Sequence, residues 1–425
     1  MKWCVIQPQN GGMALGYENI FNQLPEFILS NNKDRDIHYI NYCNTVRNLN
    51  IPIIHINQNL SEFESNADKE LFDKLNVDID LVVYLPVCAG LSTLTNSFNS
   101  KYINRCSKNI KNQNMYEISE FVLTQIKPKV ACFENGRNLY TNIGKDTLNI
   151  IKNIAYDNNY SVTAQLVNTF DHGIPQHRKR TFVYFWNTPT SPFLPYEKVD
   201  TPTLENYLNQ IPSDTSSMNE WSHKENAVLD YAYRYIIDNY EGDDIRQIFK
   251  SHFPDKSSLS GIEFIHLKND WLKAKDWAYS KVSEFPDDPF YNKVLKKYEH
   301  CINKMNNNKG IWDNSITIYG GGKYMNAVIS RNMYNSIHPT ENRSMNLREL
   351  MWLMGLPHDY TLFGGRKNWK SITKSVPVNT AMFSAKLCNE FLNNNLSMSN
   401  DRFIKQNNIN RNIDYSESKP AKLFP

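Results

Sequence analysis

Short apolar strands alternate with helix-patterned stretches through the first 187 residues, and this rhythm constrains the fold more than any other feature. Strand candidates are KWCVI (2–6), IHYINY (37–42), DLVVYLP (80–86), KVACFEN (129–135), SVTAQLVN (161–168) and RTFVYFW (180–186). Helical patterns such as ISEFVLTQIK (118–127) and KDTLNIIKNIAYDN (145–158) lie between them. Strands separated by helices predict an α/β fold built on a doubly wound sheet. Ligands in such sheets sit beyond the carboxyl ends of the strands.

The texture changes near residue 188. A polar, aromatic-rich and mostly helical stretch runs on to about 310, followed by the glycine-rich YGGGKYMN (319–326). A helix-like block, MNLRELMWLMGL (345–356), and the amphipathic SVPVNTAMFSAKLCNEFL (375–392) follow. The expected organisation is an α/β domain over 1–187, the candidate catalytic domain if its motifs carry chemistry, and an inserted lobe over 188–330. A C-terminal segment over 331–395 returns to the first domain, and a frayed polar tail covers 396–425. No apolar run approaches the ~20 residues of a membrane span, and the N-terminus has no long apolar signal core. The seven cysteines form no CxxC pair, which argues against a zinc site and for reduced thiols, so no metal is expected. The reading is a soluble, cytoplasmic, monomeric protein. A net charge of +3 permits a nucleic-acid partner without requiring one.

Four stretches carry chemistry. PVCAGLS puts Cys88 after an apolar run, in a turn with Gly90 and Ser92; a lone cysteine is more often a small core hydrophobe than a nucleophile. FENGRNL ends a strand on Glu134, a costly place for a carboxylate unless it is paired or working. It could equally cap a helix or hold a salt bridge. In HGIPQHRKRTFVY, Gln176, Arg178 and Arg180 alternate, so on one strand they share a face suited to a polar planar ligand. A solvated edge strand reads the same way. QNGGMALGYE follows the first strand, and Gly11–Gly12 there would let a ligand approach the backbone, although a glycine pair alone is weak evidence.

In this order the stretches resemble the DNA cytosine-5 methyltransferase family. Its glycine-rich first turn, Pro-Cys, Glu-Asn-Val, Gln-x-Arg-x-Arg and Val-Pro segments read here QNGGMALG, PVCAGLS, ENG, QHRKR and SVPV. HPTENRSMNLRELMWLMGLPHDY (338–360) is similar to a further family segment. The resemblance covers about 1–187 and 311–392. It implies a Rossmann-like sheet of the class I methyltransferase type, with the largely helical insertion as target-recognition lobe. It also implies double-stranded DNA as partner, with RNA open as an alternative, and S-adenosyl-L-methionine as cofactor in a prokaryotic cell or phage-infected host, with or without a restriction partner. By resemblance Cys88 is the nucleophile, Glu134 the acid at N3, and Arg180 the cation at O2 with Arg178 in support. Pro86, Asn135 and Gln176 contact the substrate. Gln7, Gly11, Gly12, Asn41, Tyr42, Asn59, Lys374 and Val376 face the cofactor.

The cofactor positions depart from the family pattern. The first turn lacks the usual aromatic and first glycine, reading Gln7-Pro8-Gln9-Asn10-Gly11-Gly12. Aligned on INYCN, the acid that usually grips the ribose is Asn41, and the adenine-facing acid falls at Asn59. The usual Asn of the Val-Pro segment is Lys374. Val87 stands directly before Cys88, where the family has proline. Three readings compete: neutral drift with ordinary methyl transfer, a non-catalytic DNA-binding paralogue, and a more anionic donor. Carboxy-S-adenosylmethionine or a folate would serve as the last, with Lys374 pairing its carboxylate.

Overall fold

The computed structural model describes residues 1–57, 60–86, 91, 110–211, 235–236, 238–241, 244–254, 258–260, 271–307, 317–319, 324–329, 338–341, 345–362, 371–407 and 409. It opens with β1 (Trp3–Ile6), α1 (Gly12–Phe21), β2 (Ile28–Ser30), α2 (Lys33–Asn41), β3 (Ile53–His55), α3 (Asn66–Leu75) and β4 (Leu81–Tyr84). Then come α4 (Ile110–Phe121), β5 (Val130–Gly136), α5 (Lys145–Asp157), β6 (Ser161–Asn168), β7 (Gln176–His177) and β8 (Lys179–Trp186). The middle of the chain forms α6 (Leu204–Leu208), α7 (Ile245–His252), β9 (Ser258–Ser260), α8 (Trp271–Glu284), α9 (Pro289–Asn306), β10 (Thr317–Tyr319) and β11 (Met325–Asn326). It closes with α10 (Leu347–Trp352), α11 (Val378–Leu392) and β12 (Phe403–Asn407).

Eight strands form one sheet in the order β12-β6-β8-β5-β4-β1-β2-β3, with β8 antiparallel to both neighbours and all other pairs parallel. Strands β1 and β4 are buried at every position, as a sheet covered on both faces requires. The order reverses at β1: β1 pairs with β4 on one side and β2 on the other. That reversal opens a crevice at the strands' carboxyl ends, and it makes the fold Rossmann-like.

Two compact units divide the described residues. The first holds Met1–Ile174, Arg178–Thr201 and Leu353–Ile409; the second holds Pro175–His177 and Pro202–Trp352. The second has its own core, in which Tyr235, Ile248, Phe249, Trp271, Val294 and Tyr298 pack together. Among the described residues no helix is long and apolar enough to cross a membrane.

Three expectations are corrected. IHYINY is not a strand: residues 37–41 belong to α2, and Tyr42–Val46 continue it as a π-helical turn. Tyr39, Tyr42 and Cys43 are buried at helical spacing, while Ile37 is exposed. The second strand is instead the short β2, and Asn32 caps the helix after it by accepting from the Arg35 amide. Next, Gln176, Arg178 and Arg180 do not share one strand. Gln176 lies on β7, paired with Met325 of β11 in the second unit, and the ladder breaks at Arg178 before β8 begins. Finally, the polar tail is not frayed over Phe403–Asn407. Those residues form the edge strand β12, in register along β6 from Val162 to Leu166.

Candidate functional site

Two clusters lie at the carboxyl ends of the central strands. The first is at β5. Phe133 pairs with Tyr84 of β4, so Glu134 sits one residue beyond that pair, beside the exit of β4. Glu134 is buried, and Arg180 Nε lies 2.8 Å from its Oε1 as an ion pair. Burial raises the Glu134 pKa above the ordinary carboxylate value, against the opposing pull of Arg180 and Arg178. A carboxyl so placed holds a proton more readily than a surface glutamate and can donate it to a ring nitrogen.

Arg178 is buried and uses its guanidinium internally. Its Nη2 donates to the carbonyls of Thr373 (2.7 Å) and Ser375 (3.0 Å), fastening the chain just before Pro377. It therefore supports the site by positioning the 373–375 segment as well as by its charge near Glu134. Asn135 is fully buried; its Oδ1 accepts from the Gly136 amide at 2.8 Å, while its Nδ2 has no protein partner. A buried amide N–H₂ left over is costly and is available to a ligand. Gln176 is also fully buried, and its Oε1 accepts from the Val328 amide at 3.0 Å within the second unit.

Cys88 lies outside the described residues, and its flanks are fixed on both sides. Pro86 is buried just past β4. Beyond the cysteine, the Leu91 carbonyl accepts from Asn138 Nδ2 at 2.7 Å. Asn138 follows β5, so Leu91 is tied to the end of the strand that carries Glu134.

The second cluster is at the ends of β1 and β2. Gln7 and Gln9 both adopt left-handed backbone, with φ of 54° and 53°, a conformation that costs an L-residue roughly 1–2 kcal/mol. Partners hold them there. Gln7 is buried and its amide donates to Asn31 Oδ1. The Gln9 backbone N–H donates to Asp36 Oδ1 at 2.9 Å, and Ser30 Oγ donates to Asp36 Oδ2 at 2.7 Å. Asp36 is fully buried, which pushes its pKa up to about 6 despite those two hydrogen bonds and the charge of Arg35. Asn10 donates to Ser371 Oγ at 3.2 Å, and its buried Oδ1 has no protein partner.

The glycines here serve the chain's own packing. Gly11 has φ 73°, and a Cβ on it would overlap the Tyr39 ring. A Cβ on Gly12 would overlap the carbonyl oxygen of Val376. The space expected for a ligand over the Gly-Gly backbone is thus filled by α2 and by the buried Val376 segment.

Correcting the second strand moves the donor-side assignment. Asn41 and Tyr42 end a helix; Tyr42 donates to Asp359 Oδ1 at 2.9 Å and packs on Tyr360 at 4.5 Å. The carboxyl end of the true second strand is Ser30-Asn31-Asn32. The sequence reading missed Asn31 and Asp36, although an Asn cap followed by Asp34 and Asp36 in the first helical turn was a usable signal. Lys374 is exposed, and Asn59 lies outside the described residues.

A cofactor with hydroxyls and an adenine edge fits this end of the sheet. Its described polar groups include the amide side chains of Gln7, Asn10 and Asn31, and Asn10 Oδ1 is an orphan acceptor. Gln7, Asn10 and Asn31 are the residues that would hold it. Among the described residues no group of three or more His, Cys, Asp or Glu side chains could hold a metal.

Comparison with known proteins identifies the family and the fold. Type II methyltransferase M.HhaI of Haemophilus parahaemolyticus is 36% identical over 62 residues, which are 15% of this chain and 19% of that protein. The match thus spans about a fifth of that curated relative's length. Two solved structures share the fold. Entamoeba histolytica methyltransferase EhMeth is 14% identical with a TM-score of 0.51, covering 92% of this chain and 98% of that one. An E. coli protein described as a prophage-encoded DNA modification methyltransferase is 15% identical with a TM-score of 0.53, covering 92% and 99%. The profile of the C-5 cytosine-specific DNA methylases matches residues 10–390, the span holding Glu134, Arg178, Arg180 and the 373–377 segment they adjoin, and the chain belongs to that family.

Proposed function

We propose that this protein methylates C5 of cytosine in double-stranded DNA, using S-adenosyl-L-methionine as donor. The observation that carries the reading is the buried Glu134–Arg180 pair beside the exit of β4, the strand that leads into Cys88.

C5 of cytosine is a weak nucleophile. Addition of the Cys88 thiolate to C6 converts the ring to an enamine whose C5 can attack an electrophile. Glu134, protonated more readily than a surface carboxyl, donates to N3 and neutralises the charge that this addition builds. Arg180, on β8 two residues after the anchor at Arg178, stabilises negative charge at O2. Asn135, with its spare buried N–H₂, adds a donor to the base pocket. The bound cofactor supplies the methyl group. A base then removes the C5 proton and the Cys88 thiolate is eliminated, restoring the aromatic ring and the free enzyme. The target cytosine must leave the duplex to reach these groups.

Two outcomes separate this reading from its rivals. Duplex DNA incubated with the protein and S-adenosylmethionine is digested, and its cytosines are weighed by mass spectrometry. A gain of one methyl group, lost in Cys88→Ser, is the expected result. No gain with S-adenosylmethionine, but a heavier cytosine with carboxy-S-adenosylmethionine or a folate donor, overturns the donor and favours the anionic alternative, in which the exposed Lys374 pairs the extra carboxylate. No change with any donor while DNA is still bound identifies a non-catalytic paralogue.

A further inference from the structure

The second unit carries an uneven charge that the chemistry above does not use. Helices α7, α8 and α9 hold nine cationic residues, Arg246 and Lys250, Lys273, Lys275 and Lys281, and Lys293, Lys296, Lys297 and Lys304. Only three acids oppose them: Asp276, Glu284 and Glu299. The whole chain is only +3, so the excess is concentrated in these helices.

Within α9 the charge is also directional. At 3.6 residues per turn, Lys296, Lys297, His300 and Lys304 fall within about a third of the helix circumference. Val294, Tyr298 and Cys301 lie on the opposite side and pack into the unit's core. Lys296 and His300 are exposed, and Lys297 and Lys304 are half-buried. An ordinary solvated helix face interleaves its lysines with acids, as α8 does where Lys281 meets Glu284 at 2.7 Å. On α9 neither Lys296 nor Lys304 makes an ion pair among the described residues. Slight burial, and then the charges of Lys304 and Lys297, hold His300 below its ordinary pKa. Asp287 and Asp288 precede the helix, at the end away from Lys304, where they complement its dipole.

We infer that the α9 face bearing Lys296, Lys297, His300 and Lys304 docks on the phosphate backbone of double-stranded DNA. This inference rests on the proposed DNA substrate and deepens it by naming a contacting element. Ammonium groups on flexible stems suit phosphates as point charges and read no sequence. The face therefore contributes affinity and register, and the choice of target site lies elsewhere.

The test measures duplex DNA binding across a salt series for the full-length wild type and for the triple variant Lys296→Ala, Lys297→Ala, Lys304→Ala. Each lost phosphate contact lowers the slope of log affinity against log salt by about 0.9, so the variant should lose about three in slope for any duplex sequence. Turnover at saturating DNA in low salt should be unchanged, and the melting curve should match the wild type. The triple Lys→Arg variant should retain the slope, which separates charge from packing. Wild-type binding with an unchanged slope in the alanine variant overturns the α9 assignment alone. A slope lost on RNA but kept on duplex DNA also overturns it. Wild-type protein that binds no duplex DNA overturns this inference and the proposed function together.

Discussion

The two ends of the crevice are built from different chemistry. At β5 and β8 the sheet ends in charge: a buried carboxyl, an arginine 2.8 Å away and a second arginine anchoring a crossing segment. At β1 and β2 it ends in amides, Gln7, Asn10 and Asn31, with one acid, Asp36, turned inward to hold the loop. Buried charge is expensive and is kept where it works on a reaction. Amides form neutral hydrogen bonds to hydroxyls and ring nitrogens without that cost. Under the proposed function the contrast separates an end that would move protons from an end that would hold the donor.

The largest effect should come from removing the proton at the charged end. Glu134→Gln keeps the shape and loses the acid, so turnover should fall by about 10²–10⁴-fold, the usual worth of a positioned general acid. Binding of S-adenosylmethionine, followed by calorimetry, should not change. A variant that loses donor affinity and turnover together would show that the two ends are not separate. Wild-type turnover should fall as pH rises through the raised Glu134 pKa, because the protonated carboxyl is the donor.

Arg178 tests whether the charged end also builds the site. Arg178→Ala removes a buried cation and leaves the carbonyls of Thr373 and Ser375 without these donors. Loss of one partner from a buried charged network costs about 3–5 kcal/mol, measurable by urea denaturation. Because Val376 packs on Gly12, donor affinity should weaken as well. An unchanged denaturation midpoint would show that the 373–375 segment is held by other contacts.

The charged end was more legible in the sequence than the amide end, for a physical reason. Strands β4, β5, β6 and β8 are apolar runs of four to eight residues ended by distinctive residues, so their periodicity and Glu134 could both be read directly. β2 has only three residues, too few to show a period. The nearby IHYINY imitates a strand until Tyr39, Tyr42 and Cys43 are recognised as one helical face. β12 reads as polar because it is an edge strand, with Phe403 and Ile404 only half-buried. The glycine pair was visible but not its role, because the Tyr39 ring and the Val376 carbonyl reach it from distant parts of the chain.

Asp36 gives the finest test of the amide end. Burial raises its pKa to about 6, while an unfolded aspartate ionises near the ordinary value of about 3.9. Between those two values the native state keeps a proton that the unfolded state has released. Stability from this group is therefore greatest below pH ~4, falls as pH rises towards 6 and is level above it. The full change is at most about 3 kcal/mol at 1.36 kcal/mol per pKa unit. Asp36→Asn can still accept from the Gln9 amide but cannot ionise, so its denaturation midpoint should lack that decline between pH 4 and 6. If Asp36 only packs, the variant should bind S-adenosylmethionine like the wild type at every pH. If it sets the left-handed turn at Gln7–Gln9, the donor affinity of the wild type should change across the same window, and that of Asp36→Asn should not.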